Sequence, residues 1–532
     1  MKSATLIVLQ VKNYSMKKIT HTFFLTSIII FLAGVCRAAD KNQYNAPLLN
    51  IKIFGAVGDG ITLDSKAINK TIDSAVNAGG GTVYFPAGNY LCGSIHLKSN
   101  ISLFLDQGAT IIAAPIIEEN GYDEEEASIS VKYQDSGHSH WHNSLIWGVD
   151  LHDISILGTG MIYGKGLYKD WVKGSKQNAN KAISLYRCRN VIMKDITIYH
   201  GGWFAILATG VDNLTIDNLK IDTNRDGMDI DCCRNVHISN CSVNSPYDDG
   251  ICLKSTFALG FARATENVTI SNCLVSGFDE GSFLDGTFTR HEKEGFGDPY
   301  PTGRIKFGTE SNGGFKNITI TNCTFDYCRG FALETVDGGL LEDVTITNIT
   351  MRDICNSPIF LRLGARMRGQ ENMQVGELRR INISNIIAYN VDPAHGIIIT
   401  GIPGHNIKDV ELSNIKIYYK GGGTKEQASA VVPLLEKSYP EPGMFGVIPS
   451  YGLYIRYAQN MKLNNIEVSF MSEDKRPAII LDNVKGADFR FVKAQVSLGT
   501  PSLVIIDSEE LNIFHSFNII DNILKKIVRK EL

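Results

Sequence analysis

Asn235-Val236-His237-Ile238-Ser239-Asn240-Cys241, Asn267-Val268-Thr269-Ile270-Ser271-Asn272-Cys273 and Asn317-Ile318-Thr319-Ile320-Thr321-Asn322-Cys323 are three copies of one short unit. Upstream, Asn190-Val191-Ile192-Met193-Lys194-Asp195-Ile196 and Asn213-Leu214-Thr215-Ile216-Asp217-Asn218-Leu219 keep the pattern; fainter copies begin at Asp343, Arg380, Asp409 and Asn460. Where nothing is inserted the period is about 22 to 26 residues, within the solenoid range. Inside each unit apolar and polar residues alternate, as in a strand with one buried face, and the asparagine that follows suits a tight turn. Too few residues remain per repeat for a helix, which excludes leucine-rich and ankyrin arrays. The expectation is an all-β fold, a right-handed parallel β-helix whose coils bury their core only by stacking. Cys241, Cys273 and Cys323 share one repeat position, so they are expected to stack as free thiols, because buried cysteine behaves as a small hydrophobe.

Working outward, residues 50–111 read as a leading module. Phe54-Gly55-Ala56-Val57-Gly58-Asp59-Gly60 is a glycine-rich turn, but no Gly-Lys-Ser/Thr follows it, so it is not a phosphate loop. Ala67, Ile68, Ile72 and Ala75 at helical spacing predict a helix from Ser65 to Ala78, capped by Asp64 or Ser65 and closing the end of the solenoid. Three polar, irregular stretches interrupt the rhythm: Glu118 to Asn143, Gly281 to Gly303 and Gly421 to Tyr451. Insertions on one face of a solenoid commonly wall its binding groove. In the first, His138, His140 and His142 alternate around Trp141. With no carboxylate or cysteine completing a ligand set nearby, sugar contact by His140 and Trp141 is expected rather than metal, with a plain structural loop as the equal alternative.

At the N-terminus Lys17-Lys18, an apolar run from Phe23 to Val35 and Cys36-Arg37-Ala38-Ala39 form a secretory signal layout over residues 1–39. Met16 is an alternative start, and residues 40–532 then form a single domain. No later stretch is apolar and long enough to span a membrane. The net charge of −4 provides no basic field for nucleic acid. Eleven cysteines include no CxxC pair, which speaks against a zinc knuckle.

Two acidic clusters lie about one repeat apart: Asn224-Arg225-Asp226-Gly227 and Tyr247-Asp248-Asp249-Gly250. Strands on adjacent coils are roughly 4.8 Å apart, so Asp226, Asp248 and Asp249 should share one patch. Pro246 and Gly250 allow the bend that turns Asp248 and Asp249 to one cleft. Crowded carboxylates cannot all ionise freely, so at least one should stay protonated near neutrality, as an acid catalyst requires. Paired carboxylates about a scissile bond are the equipment of glycoside hydrolysis.

These features together, the leading module, asparagine coils and aspartate spacing, resemble glycoside hydrolase family 28, the polygalacturonases and rhamnogalacturonases, over residues 51–468. Asn224-Arg225-Asp226 stands where that family has Asn-Thr-Asp, and Asp248-Asp249 where it has its Asp-Asp pair. The resemblance implies an inverting, cofactor-free hydrolase of pectic polysaccharide. Asp248 would be the general acid, Asp226 and Asp249 would activate water, and Asn224 would touch substrate. Two departures stand out. Ser276-Gly277-Phe278-Asp279-Glu280-Gly281 opens an insertion where the family has Gly-His-Gly. The family's carboxylate-gripping Arg-Ile-Lys aligns by coil with Ala332-Leu333-Glu334, whereas the literal Arg304-Ile305-Lys306 lies a coil early. Arg304 and Lys306 flank Ile305 on one face and are expected to grip substrate from there, with Lys254 nearby. For Arg362, Arg366 and Arg368 solvated surface charge is the expectation. A rhamnogalacturonan-specific hydrolase is the alternative substrate assignment, and a β-helix lyase or a non-catalytic carbohydrate-binding or adhesion solenoid are the alternatives of another class.

Overall fold

The computed structural model describes residues 47–117, 120–127, 132–168, 179–290, 301–517 and 520–532. The expected signal segment lies outside the described residues. From Leu48 to Leu532 the chain packs as one unit.

A typical coil has three strands. Phe204–Thr209, Asp212–Asp217 and Lys220–Asp222 are followed one coil later by Asp226–Asp231, Arg234–Ser239 and Ser242–Asn244. Each pairs in parallel with its counterpart above. Further along, the second and third strands merge into long bent ones such as Phe315–Asp326 and Leu340–Arg352. Alternation is the physical reason for the fold. Val191, Leu214, Val236, Val268, Ile318 and Val344 form one row through successive coils, all buried. Each such side chain contributes about 1.5–3 kcal/mol when withdrawn from water.

The turns are held by an asparagine ladder. Asn213 donates its amide to Asn190 Oδ1 (2.9 Å), Asn235 to Asn213 (3.0 Å), Asn267 to Asn235 (3.0 Å) and Asn317 to Asn267 (2.8 Å). All five have φ between 53° and 58°, the left-handed region that asparagine tolerates better than most residues. The ladder stays in register across the 50 residues separating Asn267 from Asn317, so the coil is intact on both sides of the insertion. Cys241, Cys273 and Cys323 are buried free thiols stacked on one another, as expected.

Helix α1 (Ser65–Asn77) buries Ile68, Ile72 and Ala75 against the first coil. Asp64 takes the cap position but makes no side-chain cap bond. Its carboxylate instead accepts from the backbone N–H groups of Val57 (2.7 Å) and Gly58 (3.0 Å), pinning the glycine-rich turn. The far end is closed by an antiparallel hairpin, Leu503–Phe514 with Asn522–Glu531, whose irregular apolar pattern gave no solenoid signal.

One sheet carries the acidic clusters. Its strands in order are β1 (Phe204–Thr209), β2 (Asp226–Asp231), β3 (Ile251–Ser255), β4 (Ile305–Ser311), β5 (Phe331–Thr335) and β6 (Ile359–Leu363). An outward row on it runs Leu207, Asp229, Cys252, Lys306, Ala332, Phe360. The row is polar in the middle and apolar at both ends, and the inserted loops cover the apolar ends. Trp141 and Trp203 pack with Leu207, while Val432, Phe445 and Ile448 pack with Ala332 and Phe360.

Candidate active site

Asp226 opens β2, and Asp248 and Asp249 sit in the turn that leads into β3. Gly227 and Gly250 make the stacking possible: a Cβ on Gly227 would come within 2.3 Å of the Gly250 carbonyl oxygen. Ser245 Oγ lies 2.5 Å from the Arg225 carbonyl and 2.9 Å from the Asp248 carbonyl, joining the two acidic turns. Each of the three aspartates places a carboxylate oxygen within 4.8 Å of the others. The expected patch exists.

Their environments differ sharply. Asp249 is 2% exposed and accepts from Arg304 Nε at 2.8 Å, with Lys306 Nζ at 3.4 Å. Burial alone would raise its pKa, but Lys306, Arg304 and Lys254 outweigh burial and hold it well below the usual carboxylate range. Asp226, 5% exposed, is raised well above that range by burial and by the neighbouring Asp248 and Asp229. Asp248 is the most open, at 33%, and accepts from Arg225 Nε at 3.3 Å. Arg225 in turn lies over the Trp203 ring, 4.3 Å from its centroid. The site thus holds one fixed carboxylate anion, one retained proton and one solvent-facing carboxyl. A proton on a crowded carboxyl pair belongs to the pair rather than to one member.

Strand register settles the coil question. Ile305 and Lys306 pair with Ile251 and Cys252, and Lys306 in turn with Ala332. Arg304 and Lys306 are therefore on the coil directly after Asp248-Asp249, and they do face outward from the core. They are not open to solvent, however. Both are 1% exposed, beneath the loop of residues 421–451. Arg304 donates two bonds to the Glu441 carboxylate, and Lys306 Nζ donates to Tyr439 Oη at 3.2 Å and lies 3.8 Å from Glu334. Burial raises the Glu334 pKa to about 7 against the pull of Lys306 and Arg304.

Several expectations are corrected here. Lys254 lies 3.3 Å from Glu310 and 3.8 Å from Asp229, so its charge serves a buried network rather than an open groove. His140 is 8% exposed with Nδ1 2.8 Å from the Glu126 carbonyl oxygen. Trp141 is 4% exposed and stacked on Tyr186 with centroids 3.8 Å apart, so protein takes the face expected to meet a sugar. Arg362 is buried and donates to the Leu434 and Leu435 carbonyls, and Arg366 pairs with Asp337; neither is surface charge. Arg368 is the half-exposed one of the three, 3.7 Å from Glu310. Asn224 is 6% exposed beside Asp226, and its Oδ1 has no hydrogen-bond partner among the described residues.

His138 was singled out in sequence only as one of three alternating histidines. It bridges Asp135 and Asp229, the latter at 2.7 Å. Burial would lower its pKa, but those two carboxylates carry it up to about 10, so it stays charged. It closes the β2 face from the side of the first insertion. Glu441 and Arg329 had no sequence signal, since neither lies in a repeat motif.

A family model described as "Rhamnogalacturonase A/epimerase, pectate lyase-like" matches residues 48–183, and one described as "Right handed beta helix region" matches residues 170–290. A probable polygalacturonase of Vitis vinifera is 24% identical over 69% of this chain and 73% of its own. The Plasmin and fibronectin-binding protein A of Streptococcus pneumoniae is 30% identical over 46% of this chain, which spans 33% of that longer protein. An exopolygalacturonase structure from Thermotoga maritima superposes with a TM-score of 0.60 at 19% identity, covering 80% of this chain and 93% of that one. Fold and site define a right-handed parallel β-helix protein of the pectate-lyase-like kind. Within that class the chain is similar in sequence to polygalacturonases.

Proposed function

We propose that this protein is an exported glycoside hydrolase that cleaves galacturonosyl linkages in pectic polysaccharide. The observation that carries the reading is the differentiated carboxylate trio, all within 4.8 Å: Asp249 buried against Arg304 and Lys306, which hold its pKa down, Asp226 buried beside Asp248 and Asp229, which raise its pKa, and Asp248 open to solvent. General acid catalysis and an ionised partner on one small patch are what glycosidic cleavage needs. The similarity to a grape protein named as a probable polygalacturonase supports the same substrate class.

In this reading Asp248, the carboxyl nearest solvent, protonates the leaving oxygen. The proton it delivers is the one shared with Asp226. Asp249 and the then ionised Asp226 hold and deprotonate a water, which gives inversion. The close carboxylate spacing favours a second reading. In two-carboxylate enzymes about 5–5.5 Å goes with retention and about 6.5–9.5 Å with inversion. Against direct attack by Asp249, two buried cations already neutralise its oxygens, which lowers its nucleophilicity. Asp249→Asn tests the proposal. Release of reducing ends from pectic oligomers should fall about 10²–10⁴-fold with the fold retained, and activity within a factor of two of the parent removes Asp249 from the chemistry. Export is tested by finding the chain outside the cytoplasm with residues 1–39 removed.

A further inference from the structure

Beside Asp249 the protein builds a seat for a carboxylate and fills it with one of its own. Arg304 presents Nη1 and Nη2 to Glu441, and Arg329 Nη1 donates to the same carboxylate at 3.1 Å. Arg304 and Arg329 side chains are only 2% and 9% exposed, while Glu441 is 23% exposed at the margin of the site. Planar guanidinium forks are the groups best shaped to hold a carboxylate. Burial would raise the Glu441 pKa, but Arg304, Arg329 and Lys306 keep it ionised.

The loop that delivers Glu441 is fastened on both sides of it. On one side, Arg362 Nη2 donates to the carbonyls of Leu434 and Leu435, both at 3.0 Å, and Arg456 Nη1 donates to Val432 at 2.8 Å. On the other, Pro442–Phe445 forms a 3-10 turn, Phe445 and Ile448 pack on Ala332, Phe360 and Ile398, and Arg476 donates to the Ile448 carbonyl at 3.1 Å. A loop pinned by buried arginines and an apolar row is a fixed wall, not a lid. An incoming uronate would have to displace Glu441 without anywhere for that charge to go, next to Asp249 and Glu334.

We infer that Glu441 is a specificity-determining residue: it occupies the anion seat beside Asp249, so the sugar lying over Arg304 is a neutral one rather than a uronate. This rests on the proposed glycosidase reading and narrows it, since a pectic chain that places a neutral sugar next to galacturonate is of the rhamnogalacturonan type.

The test compares the parent with Glu441→Ala on two sets of oligomers, galacturonate oligomers and rhamnogalacturonan oligomers. Titration calorimetry with digalacturonate and with its carboxyl-reduced form runs alongside. The parent should favour the rhamnogalacturonan set, and Glu441→Ala should move the kcat/KM ratio toward galacturonate by about tenfold or more, with digalacturonate binding tightened similarly. An unchanged ratio and unchanged digalacturonate affinity overturn the inference while leaving the hydrolase assignment intact. If the parent cleaves neither set, the hydrolase assignment fails and calorimetry still decides whether Glu441 blocks a uronate seat. Should the alanine variant not fold, Glu441→Gln removes the charge at constant size. It should shift the ratio the same way by about threefold, and no shift would overturn the inference.

Discussion

Removal of Arg304 should be felt first in the acid limb of the protein's behaviour. Its side chain is 2% exposed, and its guanidinium bonds Asp249 Oδ1 at 2.8 Å while also gripping Glu441. Arg304→Ala leaves Asp249, itself 2% exposed, with Lys306 at 3.4 Å as its remaining close cation. Deleting one partner of a buried pair costs about 3–5 kcal/mol, because the surviving charge is left without compensation. The direction with pH follows from linkage. The Asp249 pKa is depressed in the folded protein, so its stabilisation is present above the ordinary carboxylate range and lost as pH falls through the depressed value. An adjacent arginine lowers an aspartate pKa by about 1–3 units, so in the variant the folded-state pKa moves up toward the ordinary value by about that much, and the acid-dependent loss becomes smaller and is complete at correspondingly higher pH. Urea unfolding midpoints across a pH series for the parent, Arg304→Ala and Arg304→Lys provide the assay. Lysine should restore the charge and most of the acid resistance, but not the two-pronged grip on Glu441. An acid limb in Arg304→Ala coinciding with the parent's would refute the pairing as the reason Asp249 stays ionised.

Three further outcomes are expected. Asp248→Asn should lose about 10²–10⁴-fold on natural oligomers yet keep most activity on an aryl galacturonide whose leaving group needs no proton. Asp226→Asn should lose both; the opposite pattern would make Asp226 the donor. Alkylation of the unfolded, unreduced protein followed by mass measurement should find Cys241, Cys273 and Cys323 as free thiols, consistent with their buried stack, and a disulfide at any of them contradicts it.

What could be read from sequence was whatever repeats. The alternation through Val191, Leu214 and Val236 gave the coil, the recurring asparagines gave the turn ladder, and the spacing of Asp226 from Asp249 gave the patch. Helix α1 was legible because Ile68, Ile72 and Ala75 keep one face. What could not be read depends on chain segments that meet without periodicity. Glu441 reaches Arg304 from 137 positions away, and His138 reaches Asp229 from 91. Local alternation shows that Arg362 points away from the core. It cannot show that the loop of residues 421–451 returns to cover that face, turning an expected surface charge into a buried clamp. Trp141 misled for the same reason: Tyr186, on a different coil, takes its ring.

Hydrolysis by the Asp226, Asp248 and Asp249 trio can be followed in the digestion of rhamnogalacturonan and galacturonate oligomers by proton NMR, with Asp249→Asn as control. The parent should give new saturated reducing ends, appearing first as the anomer opposite to that of the cleaved bond, and the variant next to none. Unsaturated non-reducing ends would show elimination by a lyase, retained anomers would make a carboxylate the nucleophile, and intact oligomers would leave a binding solenoid; each contradicts inverting hydrolysis by the trio.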